Sequence, residues 1–178
     1  MDLESFLEDE RESYLADFRI FLERQRETYA KGASELKFEL GGADQVYGGV
    51  YCADFVNTEE GAEIVEFQPD RPPASAFEPF QTEFGYMDLR IENFAWDKVQ
   101  IECQPPVLTA GALADWFEQW FDPYGRRLDR SSEFSGCIHC AVVVENRLVL
   151  DLGTAPIDAL WTLFELLEAE GAERVMIS

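Results

Sequence analysis

Apolar residues recur at three-, four- and seven-residue steps from the start of the chain: Leu3, Leu7, Tyr14, Phe18, Phe21, Leu22 and Tyr29 fall on one stripe. That period predicts a single long amphipathic helix over 2–31, stopped by Gly32. Six acids and one Arg crowd its first twelve residues, and Arg24, Arg26 and Lys31 lie near its end. The helix dipole favours this polarity. Glu10 and Arg11 interrupt the stripe, so docking on a sheet is expected rather than a sustained coiled coil.

From residue 35 the period shortens to two. ELKFEL, VYGGVYCADFV and IVEF read as three short strands of a meander, separated by GG and by the charged turn NTEEGAE. QPDRPPASAFEPF follows, with four of the eight prolines, and predicts a linker or surface crossover over 68–82. Beyond it, GYMDLRIENFAWDKVQIEC predicts a hairpin. Met87, Leu89, Ile91, Val99, Ile101 and Cys103 share one face, and Glu92 stands opposite Lys98 on the other.

Thr109 then caps a helix whose Leu113, Trp116, Phe117, Trp120 and Phe121 form an aromatic face, ended by Asp122-Pro123. HCAVVVENRLVLDLG predicts a second hairpin turning over Glu145 to Arg147. In that register Val144 faces Leu148, Val142 faces Leu150 and Cys140 faces Leu152. Thr154 caps and Pro156 opens a last helix, ended at Gly171, and RVMI closes the chain as a strand. The expected class is α+β: an antiparallel sheet with two strand-strand-helix units in the second half, plus the long N-terminal helix and its small meander. The divisions are 1–67, the crossover 68–82, and an α+β unit over 83–178, with packing into one compact domain as the alternative.

Composition narrows what such a fold does. The formal net charge is -22, divided as -12 over residues 1–80 and -10 over 81–178. An excess spread this evenly is a surface property and not a tail. Nucleic acid and anionic membranes are unsuitable partners, because counterion release needs clustered Lys and Arg. No apolar run is long enough to span a bilayer, and the acidic first dozen residues do not resemble a leader, which predicts a cytoplasmic protein.

The densest chemistry is SGCIHC, residues 135–140, with two of the four cysteines and the single histidine. In an extended segment Cys137 and His139 point one way and Cys140 the other, and Cys52 and Cys103 lie in separate strands. No metal and no cofactor are expected on that reading. A Cys-x-x-Cys pair in a strand also lacks the helix N-terminus that activates a redox dithiol. The hairpin register brings Asp151 diagonal to His139, so Cys137, His139 and Asp151 form a nominal nucleophile, base and orienting acid. Residues two apart on a strand nevertheless lie nearly 7 Å apart, beyond the reach of direct proton transfer.

Two functional classes follow. The first is a non-catalytic acidic interaction protein, such as an inhibitor or immunity-type protein for a basic partner. The alternative is a small-molecule-binding protein or enzyme using Cys137, His139 and Asp151. The last helix, apolar nearly all round through Leu160, Trp161, Leu163, Phe164, Leu166 and Leu167, adds the expectation of a homo-oligomer.

Overall fold

The computed structural model describes residues 2–42, 46–59, 61–71 and 77–178. Their order is α1 (Leu3–Thr28), β1 (Gly32–Glu39), a 3-10 turn (Tyr47–Gly49), β2 (Val50–Asn57), β3 (Glu63–Val65), β4 (Phe80–Phe84), β5 (Met87–Ile91), β6 (Val99–Gln104), α2 (Ala114–Phe121), β7 (Cys140–Val144), β8 (Arg147–Asp151), α3 (Asp158–Ala169) and β9 (Arg174–Ile177). The class is α+β. β1, β2 and β3 form an antiparallel meander, and the other strands form a mixed sheet in the order β4-β5-β9-β6-β8-β7. No helix among the described residues is long and apolar enough to cross a membrane.

α1 begins where the Asp2 carboxylate accepts the Ser5 N–H and ends with Tyr29 in extended backbone, its N–H bonded to the Gln25 carbonyl. It therefore stops short of Gly32, which opens β1 instead. Leu3, Phe6, Leu7, Tyr14, Leu15, Phe18 and Leu22 are buried, while Phe21 and Tyr29 pack at the margin. Arg11 does not break the packing. Its Nε donates to the Ala155 carbonyl at 2.7 Å and its Nη2 to that of Thr154 at 3.3 Å, so the charged end serves the loop that α1 crosses.

The face predicted across β5 and β6 is buried as expected, but the two strands are not a hairpin. β9 lies between them, parallel to β5 and antiparallel to β6. The connection over residues 92–98 spans two strand spacings, about 9.5 Å, rather than one. α3 makes the insertion possible: it carries the chain from β8 over β6 into β9, and such a crossover is what parallel alignment requires. With β9 interposed, the expected Glu92–Lys98 pair is lost, and Glu92 binds Arg90 Nε at 2.9 Å. β4 fills the outer edge, antiparallel to β5, and starts at Phe80 inside the stretch expected as a crossover; residues 72–76 of that stretch lie outside the described residues.

The second hairpin forms with a shorter turn than expected. Glu145 and Asn146 are its two central residues, with Glu145 at φ 55, and the ladder pairs Val144 with Arg147, Val142 with Val149 and Cys140 with Asp151. Removing one residue from the turn slides the partner strand by one and turns over its faces. Ala141, Leu148 and Leu150 are consequently buried together. α2 and α3 are tied through Trp116 Nε1 to the Ala159 carbonyl and Trp120 Nε1 to Thr162 Oγ1. Trp161 of α3 stacks on Phe84 of β4, which covers part of the last helix's apolar surface within the chain.

Candidate functional site

The buried polar groups gather where the meander meets the start of β7. β1 and β2 pair through Ser34 with Phe55 and Leu36 with Ala53, which sets Glu35 across from Asp54. Glu35 adopts φ 52, an unusual conformation for a side-chain-bearing residue in a strand. The segment 137–139 is fixed by backbone bonds on several sides. Ile138 N–H donates to the Trp120 carbonyl, His139 N–H to that of Asp151, Thr154 N–H to that of Cys137, and Cys52 N–H to that of His139. Cys137 and His139 thus face one interior, and Cys140 is only half-buried.

His139 is 1% exposed and stands between two carboxylates. Nδ1 is 2.9 Å from Asp54 Oδ1, and Nε2 is 3.2 Å from Glu35 Oε1. Asp54 Oδ2 also accepts the Phe67 N–H at 2.7 Å. Glu35 accepts the Ser135 N–H at 2.8 Å, the Ser135 hydroxyl at 2.6 Å and the Thr154 hydroxyl at 2.5 Å. Thr154, expected to cap α3, is drawn into this network, where its hydroxyl accepts the Gly136 N–H as well. Cys137 Sγ lies 2.9 Å from Ser135 Oγ, and one ligand atom from each of Cys52, Cys137 and His139 lies within 4.8 Å of the others. The Phe18 ring stands edge-on to the imidazole, and Gly153 at φ +51 passes beneath it so closely that an added Cβ would be 2.1 Å from Cδ2.

Two carboxylates on one imidazole require both nitrogens to donate, so the ring is an imidazolium. Burial works against that charge, but the hydrogen bonds to Asp54 and Glu35 outweigh it and hold the His139 pKa well above its ordinary value. Glu35 responds in the opposite sense. Burial pushes it up, yet its bonds with His139, Ser135 and Thr154 bring it down to about 2. The two thiols act on each other in opposite senses: their interaction raises Cys52 and lowers Cys137, the latter to about 6 with His139 and Lys37 assisting against burial. Asp151 is pushed up to about 7 by burial, which the imidazolium only partly offsets, and Asp54 adds to the rise.

Of the three residues expected from the sequence, Cys137 and His139 come together. Asp151 reaches His139 only through its backbone carbonyl, because the shifted register turns its carboxylate to the Gly153 N–H at 2.9 Å. The orienting acids are Asp54 and Glu35, with Cys52, Ser135 and Thr154 completing the group. One signal for Asp54 was present in the sequence: a carboxylate amid VYCADFV is an acid set in an apolar strand.

A Cys–His pair does nucleophilic work only where a substrate can reach it. A depression of about 790 Å3 lies elsewhere, on the outer face of the mixed sheet between Gln81, Arg90, Glu102, Arg174 and Met176. A second, about 460 Å3, lies beside α1 and is lined by Tyr14, Asp17, Phe77, Phe94 and Trp96. Neither opens onto Cys137 or His139. What the arrangement does chemically is hold charge and donor atoms inside the fold, between elements distant in the chain. Comparison with family models, with curated proteins and with solved structures gives no match.

Proposed function

We propose that the chain is a non-catalytic acidic binding protein, of the inhibitor or immunity type, that presents the first half of α1 to a basic protein. The observation that carries this reading is the distribution of charge that forms no ion pair among the described residues. Asp2, Glu4, Glu8, Asp9 and Glu12 are exposed, and Arg11, the one base among them, is drawn inward to the Thr154 and Ala155 carbonyls. Asp158 at the start of α3 lies near enough to act on the Arg11 charge and extends the patch. The outer sheet face differs, because its charges pair among themselves: Arg90 with Glu92, Arg147 with Glu102, and Arg174 with Asp88. A field of one sign on a rigid helix accelerates encounter with a partner of the opposite sign and weakens as salt rises. The enzyme reading has less support, since the Cys137–His139 pair is enclosed and the Asp151 carboxylate bonds the Gly153 N–H rather than the imidazole.

The test is affinity capture from the native lysate with the full chain and with the E4K/E8K/E12K variant. Wild type is expected to retain a basic protein at low salt, to lose it near 0.5 M salt where the screening length is a few ångströms, and to bind the same protein once purified. The variant loses it at all salt concentrations. Equal retention by the variant, or retention of no basic protein, refutes the proposal.

A further inference from the structure

The group around His139 has the donor set of a closed transition-metal centre. We propose that Cys52, Cys137, His139 and Glu35 bind one zinc ion, with Asp54 orienting the histidine from behind. The inference is independent of the α1 surface.

The geometry suits the ion in four respects. Two thiolates, an imidazole and a carboxylate match zinc's preferences, and four protein donors in a buried setting describe a structural site rather than a catalytic one. The distances are close to what coordination requires. Zinc bonds of about 2.0 Å to nitrogen and oxygen set tetrahedral N···O edges of about 3.3 Å, and Nε2 and Glu35 Oε1 are 3.2 Å apart. Bonds of about 2.3 Å to sulfur set S···S edges of about 3.8 Å, and the sulfur and imidazole donors already lie within 4.8 Å of one another. Contraction by about 1 Å closes the edges among Cys52, Cys137 and His139, whereas Glu35, bonded to Nε2 but outside that 4.8 Å group, has to swing further toward the sulfurs.

The third respect is how the histidine is held. A zinc-bound histidine almost always donates its remaining N–H to a carboxylate or carbonyl, which fixes the ring and its tautomer. Asp54 Oδ1 holds Nδ1 at 2.9 Å, and Asp54 is itself held by the Phe67 N–H. The fourth is proton and lone-pair accounting. Glu35 receives four donors, from Ser135 N–H, Ser135 Oγ, Thr154 Oγ1 and His139 Nε2, which fills a carboxylate. Zinc takes the lone pair facing Nε2 and displaces the Nε2 proton and the thiol protons to solvent. The histidine is then neutral, and because Ser135 Oγ, Thr154 Oγ1 and Nε2 all bear on Oε1, zinc there also displaces one of the two hydroxyl donors, while the Ser135 N–H keeps Oε2. Cys137 and His139 come from one segment, Cys52 from β2 and Glu35 from β1, so the ion would tie the meander to the mixed sheet. The sequence gives no reason to join Cys52 to Cys137, since Cys52 stands alone in a separate strand; the fold sets the two side by side from 85 positions apart.

The full chain, reduced and stripped with chelator, is titrated with Co(II) and then with Zn(II). One equivalent of Co(II) is expected to give a thiolate-to-cobalt charge-transfer band with the intense visible bands of tetrahedral cobalt, and Zn(II) to abolish both. The band is lost in C52S and in C137S, is kept in C103S and C140S, and needs about 10- to 100-fold more metal in D54N. Circular dichroism of each variant guards against loss of fold, and zinc raises the unfolding midpoint of wild type and of C140S alike. Absence of a charge-transfer band in reduced wild type, the weak spectrum of octahedral cobalt, or a band that survives in C52S overturns the proposal.

Discussion

Replacing His139 with Gln in the metal-free, reduced protein removes the one positive charge between Glu35 and Asp54. At N···O separations of 2.9 and 3.2 Å and an effective dielectric near 20, each attraction is worth roughly 5 kcal/mol before the cost of desolvating three charges. That cost consumes most of it. The loss on breaking such a group is set instead by what remains, two buried carboxylates facing each other, and is about 3–5 kcal/mol. Glu35 keeps Ser135 and Thr154 as donors and Asp54 keeps the Phe67 N–H, which places the loss toward the lower end of that range. For a chain of this length the midpoint of thermal unfolding falls by roughly 6–20 °C. Urea unfolding at pH 7 measures the free energy directly. The double variant separates mechanism from mere damage: E35Q is expected to destabilise wild type and to cost at least about 1 kcal/mol less in H139Q, where it relieves repulsion. A loss under about 1 kcal/mol for H139Q, or strict additivity of the two changes, would refute a buried imidazolium held by two carboxylates.

Gly153→Ala combines a left-handed φ of +51 with a Cβ 2.1 Å from the imidazole, and should cost about 3 kcal/mol or more, whereas Gly171→Ala, at φ +92 in open space, should cost only about 1 kcal/mol; equal losses in urea melts would show that the ring does not press on Gly153. Glu145→Gly should gain up to about 1 kcal/mol, because Glu145 holds φ 55 at the tip of the β7–β8 turn where glycine is unstrained, and a lower melting midpoint would contradict that turn. Glu66 is raised to about 7 by partial burial and by Asp54, so the folded state keeps a proton that the unfolded chain has lost above its ordinary value near 4.5. The stabilisation this supplies is complete below pH 4.5 and disappears as pH rises through 7. E66Q should flatten that part of the stability-pH curve by no more than about 1 kcal/mol, given the exposure of the residue, and an unchanged curve would show that Glu66 titrates normally.

What the sequence made legible was local. The 3.6-residue stripe marked α1, the Trp116-Phe117-Trp120-Phe121 face marked α2, and alternation marked the buried sides of β5 and β6, because each of these patterns is set by neighbours along the chain. Pairing was not legible. β9 enters between β5 and β6 from the far end of the sequence, and nothing in GYMDLRIENFAWDKVQIEC distinguishes a hairpin from two strands awaiting a third. The β7–β8 error was smaller, one residue of turn length, but in a strand one residue exchanges the two faces. It moved Asp151 from an expected partner of His139 to a partner of Gly153.

The true partners of His139 lie 85 and 104 positions away, and two carboxylates among 36 acids do not announce themselves by composition. Their mark is conformational. Three non-glycine residues have positive φ among the described residues: Glu145, Asp122 and Glu35. Glu145 sits in a two-residue turn and Asp122 closes α2, places where the backbone must reverse or leave a helix. Glu35 has no such local reason, since its neighbours Ser34 and Leu36 continue an ordinary ladder with β2. A left-handed residue in mid-strand costs about 1–2 kcal/mol, and it persists only where its surroundings over-determine it. Here those surroundings are His139, Ser135 and Thr154 closing on one carboxylate. The strain at Glu35 therefore points to the same atoms as the charge and the donor set do, and a single substitution at that position tests all three.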